Sequence, residues 1–435
     1  MNRIIIIGNG FDKAHGLATG YKDFIDDYWN TFSWKIFGGY SRWGKEVYGG
    51  GCNLNLYQDE FVNFSVYSRC EIWLDPSLLN PENKRIKDFW TYNDVHLFVE
   101  QLNAETTDRP NVNLTFKNKF FEHISTRYYL TNWVDIENEY YEKLKELLTE
   151  SDAETRHQRV KQLNQDFEAV KKLLEKYLVR IVEEINPSSI PSVRETFKTF
   201  IEPQDVTHKV RADFIESIGK KSRVFDEYAD QEKDSPNEMQ SFWHNQAQTK
   251  LDKRIQDDVF KTKYCRPENT LLLNFNYTNI AECLYASEKD EVIHIHGELD
   301  NPHNPIIFGY GDELDDDYRQ IEKLQDNDFL ENIKSIRYHE TGNYRNLLSF
   351  LEADLYQVVV MGHSCGNSDR TLLNTLFEHP NCASVKVYYH QIDENTDNYS
   401  QIVRNISRNF NDKAAMRDKV VNKELCTPLV PIQKE

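Results

Sequence analysis

Ile4-Ile5-Ile6-Ile7-Gly8-Asn9-Gly10-Phe11-Asp12 decides the fold. Four consecutive β-branched apolar residues suit a strand covered on both faces, because alternate side chains point to opposite sides and all four need burial. The Gly8-Asn9-Gly10 turn and the helix-compatible residues after it, through Tyr28 and Trp29, complete a strand–turn–helix unit. In that geometry the backbone N–H groups at a helix start receive a phosphate, and glycines let the ligand come close. Lys13 stands where the third glycine of a GxGxxG fingerprint belongs, so an ordinary dehydrogenase site is not expected. The plain alternative is a βα turn without a ligand. A place on the first strand of an α/β sheet favours binding.

The same alternation returns near residue 268. Apolar runs at 271–273, 292–295, 306–308, 358–360 and 385–389 read as strands. Helical spacing follows at 280–286, 319–337, 371–378 and 399–410, which is the pattern of a parallel sheet with helices on both faces. The fold expected is therefore α/β, with a Rossmann-like, mostly parallel core built from residues 1–30 and 268–435. Residues 31–267 read as a mainly helical insertion after the first strand. Helical periodicity is clear at 133–148 and 160–185, with Pro187 and Pro191 as stops. Residues 38–55 and the acidic stretch 226–238 read as loops. The GxxxxGK spelling from Gly39 to Lys45 is chance, since Glu46 replaces Ser/Thr and no strand precedes it.

Composition narrows the function. The chain has 435 residues, about three times a typical domain, so at least two structural units are expected. Lys+Arg 52 against Asp+Glu 71 gives a net charge of −19, which argues against general nucleic-acid binding and against docking on anionic membranes. No apolar run approaches a membrane span, and Ile4 to Ile7 is too short for a signal peptide core. Seven dispersed cysteines without CxxC spacing suit reduced thiols, and the expectation is a cytoplasmic protein without a disulfide framework or zinc module.

Candidate site residues cluster where strands should end. Asn276 follows the run at 271–273, and His294 and His296 close the next one. Polar groups at the carboxyl ends of parallel strands point into the crevice where such sheets bind ligands. At period two the histidines share a face, so a metal pair is one reading and a hydrogen-bonded structural imidazole another. Gly362-His363-Ser364-Cys365-Gly366 matches a GxSxG nucleophile elbow, with Ser364, Asp369 and His390 as the surviving triad order. No oxyanion segment accompanies it, so a second glycine turn is the preferred reading, with Asp369 capping a helix or binding ligand. Asp315-Asp316-Asp317 reads as solvated surface.

Taken in order, IIIIGNGFDKAHGLATGYKDF, NWVDIENEY, LNFNYTNIAE, IHIHGEL, IIFGYGDE and VMGHSCGNSDRTLLNTLF resemble the AbiH family of bacterial abortive-infection, anti-phage proteins. They are also similar to the sirtuin-like NAD-binding domains of bacterial defence proteins. The resemblance implies a sirtuin-like core in which Gly8, Asn9, Gly10 and Phe11 form the dinucleotide loop. It implies that Asn276 is the pocket amide, His296 the histidine before glycine, and Gly362, Ser364 and Asp369 the ribose or adenine side. Two positions depart from the pattern near the nicotinamide ribose: Thr278, where Asp is usual, and Asp12, where Ser is frequent.

NAD is thus the expected substrate or ligand, no metal is expected, and a phage-derived trigger or self-association is the partner the resemblance points to. Cleaving the nicotinamide–ribose bond passes through an oxocarbenium-like state with a leaving group that departs neutral, so no general acid is needed. A base, His296, and an amide that holds water, Asn276, suit the task. A nucleotide-binding sensor without catalysis is the alternative, and a serine hydrolase using Ser364 a more distant one.

Overall fold

The computed structural model describes residues 1–43, 53–67, 90–104, 112–127 and 136–432. Two sheets are present among them. The larger joins β1 (Asn2–Ile7), β5 (Thr270–Asn274), β6 (Glu291–His294), β7 (Tyr356–Met361) and β8 (Cys382–Tyr388), in the spatial order β6-β5-β1-β7-β8, all parallel. Ile4 is opposite Leu271 on one side and Val358 on the other. The smaller sheet is antiparallel: β2 (Asn53–Gln58), β3 (Val62–Tyr67) and β4 (Val112–Phe116).

The isoleucine run occupies the central strand, and its alternation divides two cores. Ile4 and Ile6 pack with Leu273, Val360, Leu351 and Leu372 on one face, while Ile5 and Ile7 pack with Leu272, Val359, Phe11 and Val193 on the other. All four are essentially inaccessible, so each contributes roughly 1.5–3 kcal/mol, and a charge at any of them would break the sheet. Strand order reverses on either side of β1, which creates a crevice at the carboxyl ends where open α/β sheets bind ligands.

The region between β1 and β5 is more than a bundle. The helix Ala153–Glu184 begins at Asp152, whose side chain accepts from Thr155 N–H at 2.9 Å, and buries Val160, Phe167, Val170, Tyr177 and Ile181 along one stripe. That stripe meets an aromatic core of Trp29, Phe32, Phe61, Phe121 and Tyr140. Ile306, Phe308, Tyr310 and Phe329, from beyond residue 268, join the same core, so the two zones share it.

Several expectations are corrected. Residues 38–43 continue the helix Tyr21–Trp43, and 53–58 form β2; residues 44–52 lie outside the described ones. The stretch at 226–238 contains a helix, Asp226–Asp234, and the start of another, Asn237–Arg254: polarity all round disguised both. Residues 306–308 make no strand; Ile307 N–H donates a lone ladder-like bond to His296 O at 2.7 Å. The helical stretch at 319–337 is broken into Asp316–Lys323, Asn327–Leu330 and Lys334–Arg337.

Candidate active site

The two glycine turns, after β1 and after β7, are interlocked. Gly10 N–H donates to Gly362 O at 2.8 Å, Gly8 N–H to Met361 O at 3.1 Å, and Phe11 N–H to Gly8 O at 2.8 Å. A Cβ on Gly10 would lie 2.8 Å from Gly362 O, and one on Gly362 would lie 2.1 Å from Phe11 N. Gly362 also has φ +73°, so both glycines are required by backbone against backbone. The helix behind the first turn, Asn9–Ala14, is six residues long. The Asn9 side chain accepts from the Thr19 hydroxyl, and the Phe11 ring is buried edge-on against Phe197 and Tyr285.

Beside that interlock, polar side chains gather at the ends of β1 and β5. Asp12 is buried, and its Oδ2 accepts from the Thr278 hydroxyl at 2.5 Å. Burial pushes the Asp12 carboxyl up to about 7, Glu282 adds to the rise, and Thr278 and Asn276 oppose it. Asp12 Oδ1 and Asn276 Nδ2 are both buried without a hydrogen-bond partner, although Asn276 stands near enough to act on the carboxyl. Asn276 is fixed through its backbone, whose N–H donates to Asn274 Oδ1 at 2.9 Å. Asp12 and Thr278 therefore face each other.

Deeper in, Asp369 is a hub. Its Oδ1 accepts from Lys334 Nζ at 2.8 Å and lies 3.1 Å from His296 Nε2, while its Oδ2 is 3.5 Å from His363 Nε2. Lys334, only 1% exposed, also donates to Glu137 Oε2 at 2.6 Å, and Glu137 Oε1 accepts from Gly309 N–H at 3.2 Å. Burial opposes the Lys334 charge, but Asp369 and Glu137 outweigh it and hold the ammonium well above its ordinary range. Burial likewise opposes the Asp369 charge, and Lys334 and His296 overcome it, keeping the carboxyl well below its ordinary range.

His296 is neutral in this setting. Burial first, and the Lys334 charge second, pull its imidazole down to about 4, against the pull of Asp369. Its Nε2 faces both Asp369 and the Tyr338 hydroxyl, 3.2 Å away, so the Nε2–H tautomer is assigned and Nδ1 carries the lone pair. Phe275 packs edge-on to the ring at 5.0 Å between centroids. His363 Nδ1 accepts from Cys365 N–H at 3.0 Å, which assigns its proton to Nε2, toward Asp369.

His294 and His296 do not share a strand face. β6 ends at His294, and Ile295 and His296 turn away before Gly297, which has φ +82° and packs on Pro305. His294 instead bonds Glu282 through Nε2 and donates from Nδ1 to Asn276 O at 3.3 Å. Burial would lower its pKa, but Glu282 raises it on balance. Glu282, His294 and Glu298 bring ligand-type atoms within 4.8 Å of one another; His157, Asp326 and Asp328 do the same on the far helical side.

The nucleophile-elbow geometry is not realised. Ser364 is exposed, the left-handed backbone falls on Cys365 (φ 54°), and among the described residues no hydrogen bond or ion pair joins Ser364 to Asp369 or to the exposed His390. Cys365 is buried, and burial raises its thiol pKa strongly. Sequence reasoning missed Glu137, Lys334, Tyr338 and His363. Two of these lay inside quoted motifs, NWVDIENEY and VMGHSCGNSDR, where Glu137 and His363 were the overlooked letters.

Fold and site together define an α/β protein whose parallel sheet carries a buried carboxylate–histidine centre at its carboxyl edge. The chain belongs to the family described as bacteriophage abortive infection AbiH, whose family model matches residues 4–391. Membership places it in abortive infection, the defence of a bacterium against phage. No curated protein and no solved structure matches the chain. Among the described residues, no helix is long and apolar enough to cross a membrane.

Proposed function

We propose that this AbiH protein binds NAD in a Rossmann-like, sirtuin-like crevice and hydrolyses its nicotinamide–ribose bond, depleting the cofactor in an infected cell. The observation that carries the reading is the placement of Asn276, the Asp12–Thr278 pair and the His296–Asp369 pair beyond the carboxyl ends of β1, β5, β6 and β7. In the step, a water oxygen forms a bond to the ribose C1′ while the C1′–N bond breaks, its electron pair neutralising the nicotinamide nitrogen. His296 Nδ1 takes the water proton, and Asp369 steadies the imidazolium that results. Asn276, whose Nδ2 has no hydrogen-bond partner among the described residues, holds the water or the nicotinamide. Asp12 and Thr278 are the groups for the ribose hydroxyls.

The test is nicotinamide release from NAD by the purified chain, alone and with phage components. NAD recovered bound but intact under every such condition would overturn the enzymatic reading. One observation favours a second reading, a sensor that binds the nucleotide without breaking it. His296 and Asp369 are closed to solvent, and the Gly10 and Phe11 N–H groups are already used internally. Calorimetric binding followed by recovery of unchanged ligand separates the two.

A further inference from the structure

At the outer edge of the crevice, Glu282 follows β5 on the short helix Ile280–Tyr285, His294 ends β6, and Glu298 comes just after Gly297. Each is oriented by a group outside the three. Asn276 O fixes the His294 ring through Nδ1–H, the Asn274 amide donates to Glu282 Oε2 at 3.2 Å, and the Asn301 amide donates to Glu298 Oε2 at 2.8 Å. His294 Nε2, which bonds Glu282 Oε1, and a carboxylate oxygen of Glu282 and of Glu298 lie within 4.8 Å of one another, so a metal ion here would displace the proton that His294 and Glu282 share, with outer partners holding its ligands. A second observation is independent of those bonds. Asp12, 1% exposed, has a carboxylate oxygen without a hydrogen-bond partner among the described residues, with the Asn276 amide close by, and the charges that act on it are Glu282 and His294. The groups that act most strongly on Asp12 and His294 include no lysine or arginine.

We propose that Glu282, His294 and Glu298 bind one divalent transition-metal ion, Mn²⁺ or Zn²⁺, with Asp12 supplying a further negative charge behind them. One imidazole and two carboxylates suit these ions better than Mg²⁺ or Ca²⁺, which take oxygen alone. Three protein ligands leave a coordination position open to the crevice, and the part-exposed glutamates give the ion a way in. The proposal goes beyond the NAD reading and does not depend on it, because its readout is ion binding.

The experiment uses the full chain stripped by chelation and dialysed. Mn²⁺ is titrated by electron paramagnetic resonance and Zn²⁺ by calorimetry. One ion per chain is expected, with imidazole nitrogen coupling to bound Mn²⁺ that disappears in His294→Gln. Asn301→Ala, which unhooks Glu298 and also removes the acceptor of His303 N–H, should weaken binding roughly 10–100-fold, the usual effect of an outer partner, with denaturant unfolding recorded alongside to show that the fold is kept. Glu298→Gln should weaken it further, and His157→Ala should leave it unchanged. No binding by about 1 mM metal, a level at which a three-ligand site should be filled, overturns the proposal. So does binding lost in His157→Ala but kept in Glu298→Gln.

Discussion

Two regions two residues apart on one chain segment are built on opposite electrostatic terms. Around His296, the Lys334 ammonium sits between Glu137 and Asp369, every charge has a partner, and the imidazole stays neutral. Around His294, carboxylates outnumber the one basic group, Asp12 is driven toward its protonated form, and the imidazole is driven toward its charged form. The same residue type is therefore prepared for two tasks. A neutral histidine braced by a carboxylate has a lone pair to offer on the proposed reading; a histidine among under-compensated carboxylates holds a proton in their company, which the proposed metal ion would displace.

The largest effect that would break this comparison is catalytic. His296→Ala should lower nicotinamide release by roughly 10²–10⁴-fold with NAD affinity little changed, whereas His294→Ala should fall well short of that span. Equal losses in both, measured as kcat and as ligand affinity, would mean that the two histidines share one task.

Next comes stability. Lys334→Met leaves Asp369 and Glu137 buried without their cation and should cost about 3–5 kcal/mol in denaturant unfolding, part of which Lys334→Met with Glu137→Gln recovers. The same charge cluster sets an acid response. Because the Asp369 pKa is lowered on folding, its contribution is complete above the ordinary carboxyl range and is lost as pH falls toward the lower folded value. Acid unfolding of Asp369→Asn should lack that component.

At the outer edge the sign reverses. The Asp12 pKa rises to about 7, so its charged form opposes folding increasingly as pH climbs from the ordinary carboxyl range through 7. Asp12→Asn should raise stability at pH 8 by roughly 1–3 kcal/mol, the shift less the weakened bond to Thr278. A loss of stability at pH 8 would show that Asp12 has a partner there. The smallest effect expected is at Ser364. Ser364→Ala should leave nicotinamide release within about twofold, since an exposed hydroxyl without partners stabilises no transition state. A fluorophosphonate should not label it.

The sequence was most legible where local pattern and tertiary demand coincide. Ile4 to Ile7 announced a strand buried on both faces, and Asn276 and His296 lie just past strand ends, as expected where apolar runs stop. The site's other half was invisible for a physical reason. Lys334 meets Glu137 across 197 positions and Asp369 across 35, and nothing in the local spelling RYHE or NIKS distinguishes a buried lysine or tyrosine from a surface one. The antiparallel sheet β2–β4 was missed although its strands alternate apolar and polar residues, because each is only five or six residues long and Val112–Phe116 lies far along the chain from the β2–β3 hairpin. Glycines misled in a subtler way. Gly8, Gly10 and Gly362 marked close approach correctly, but the approaching backbone is the protein's own.

The Glu137–Lys334 pair also decides how this molecule can be taken apart. Residues 1–30 and 268–435 look like a self-contained module with a spacer grafted into it, the kind of arrangement from which a minimal version is trimmed. Trimming at those borders would strand an ammonium in an apolar interior with half its neutralising charge removed, and would pull Phe308 and Tyr310 out of the aromatic core they complete. Swapping the helical region between relatives meets the same obstacle unless the donor brings a carboxylate to that spot. The two parts are one inheritance, and neither can be borrowed without the other.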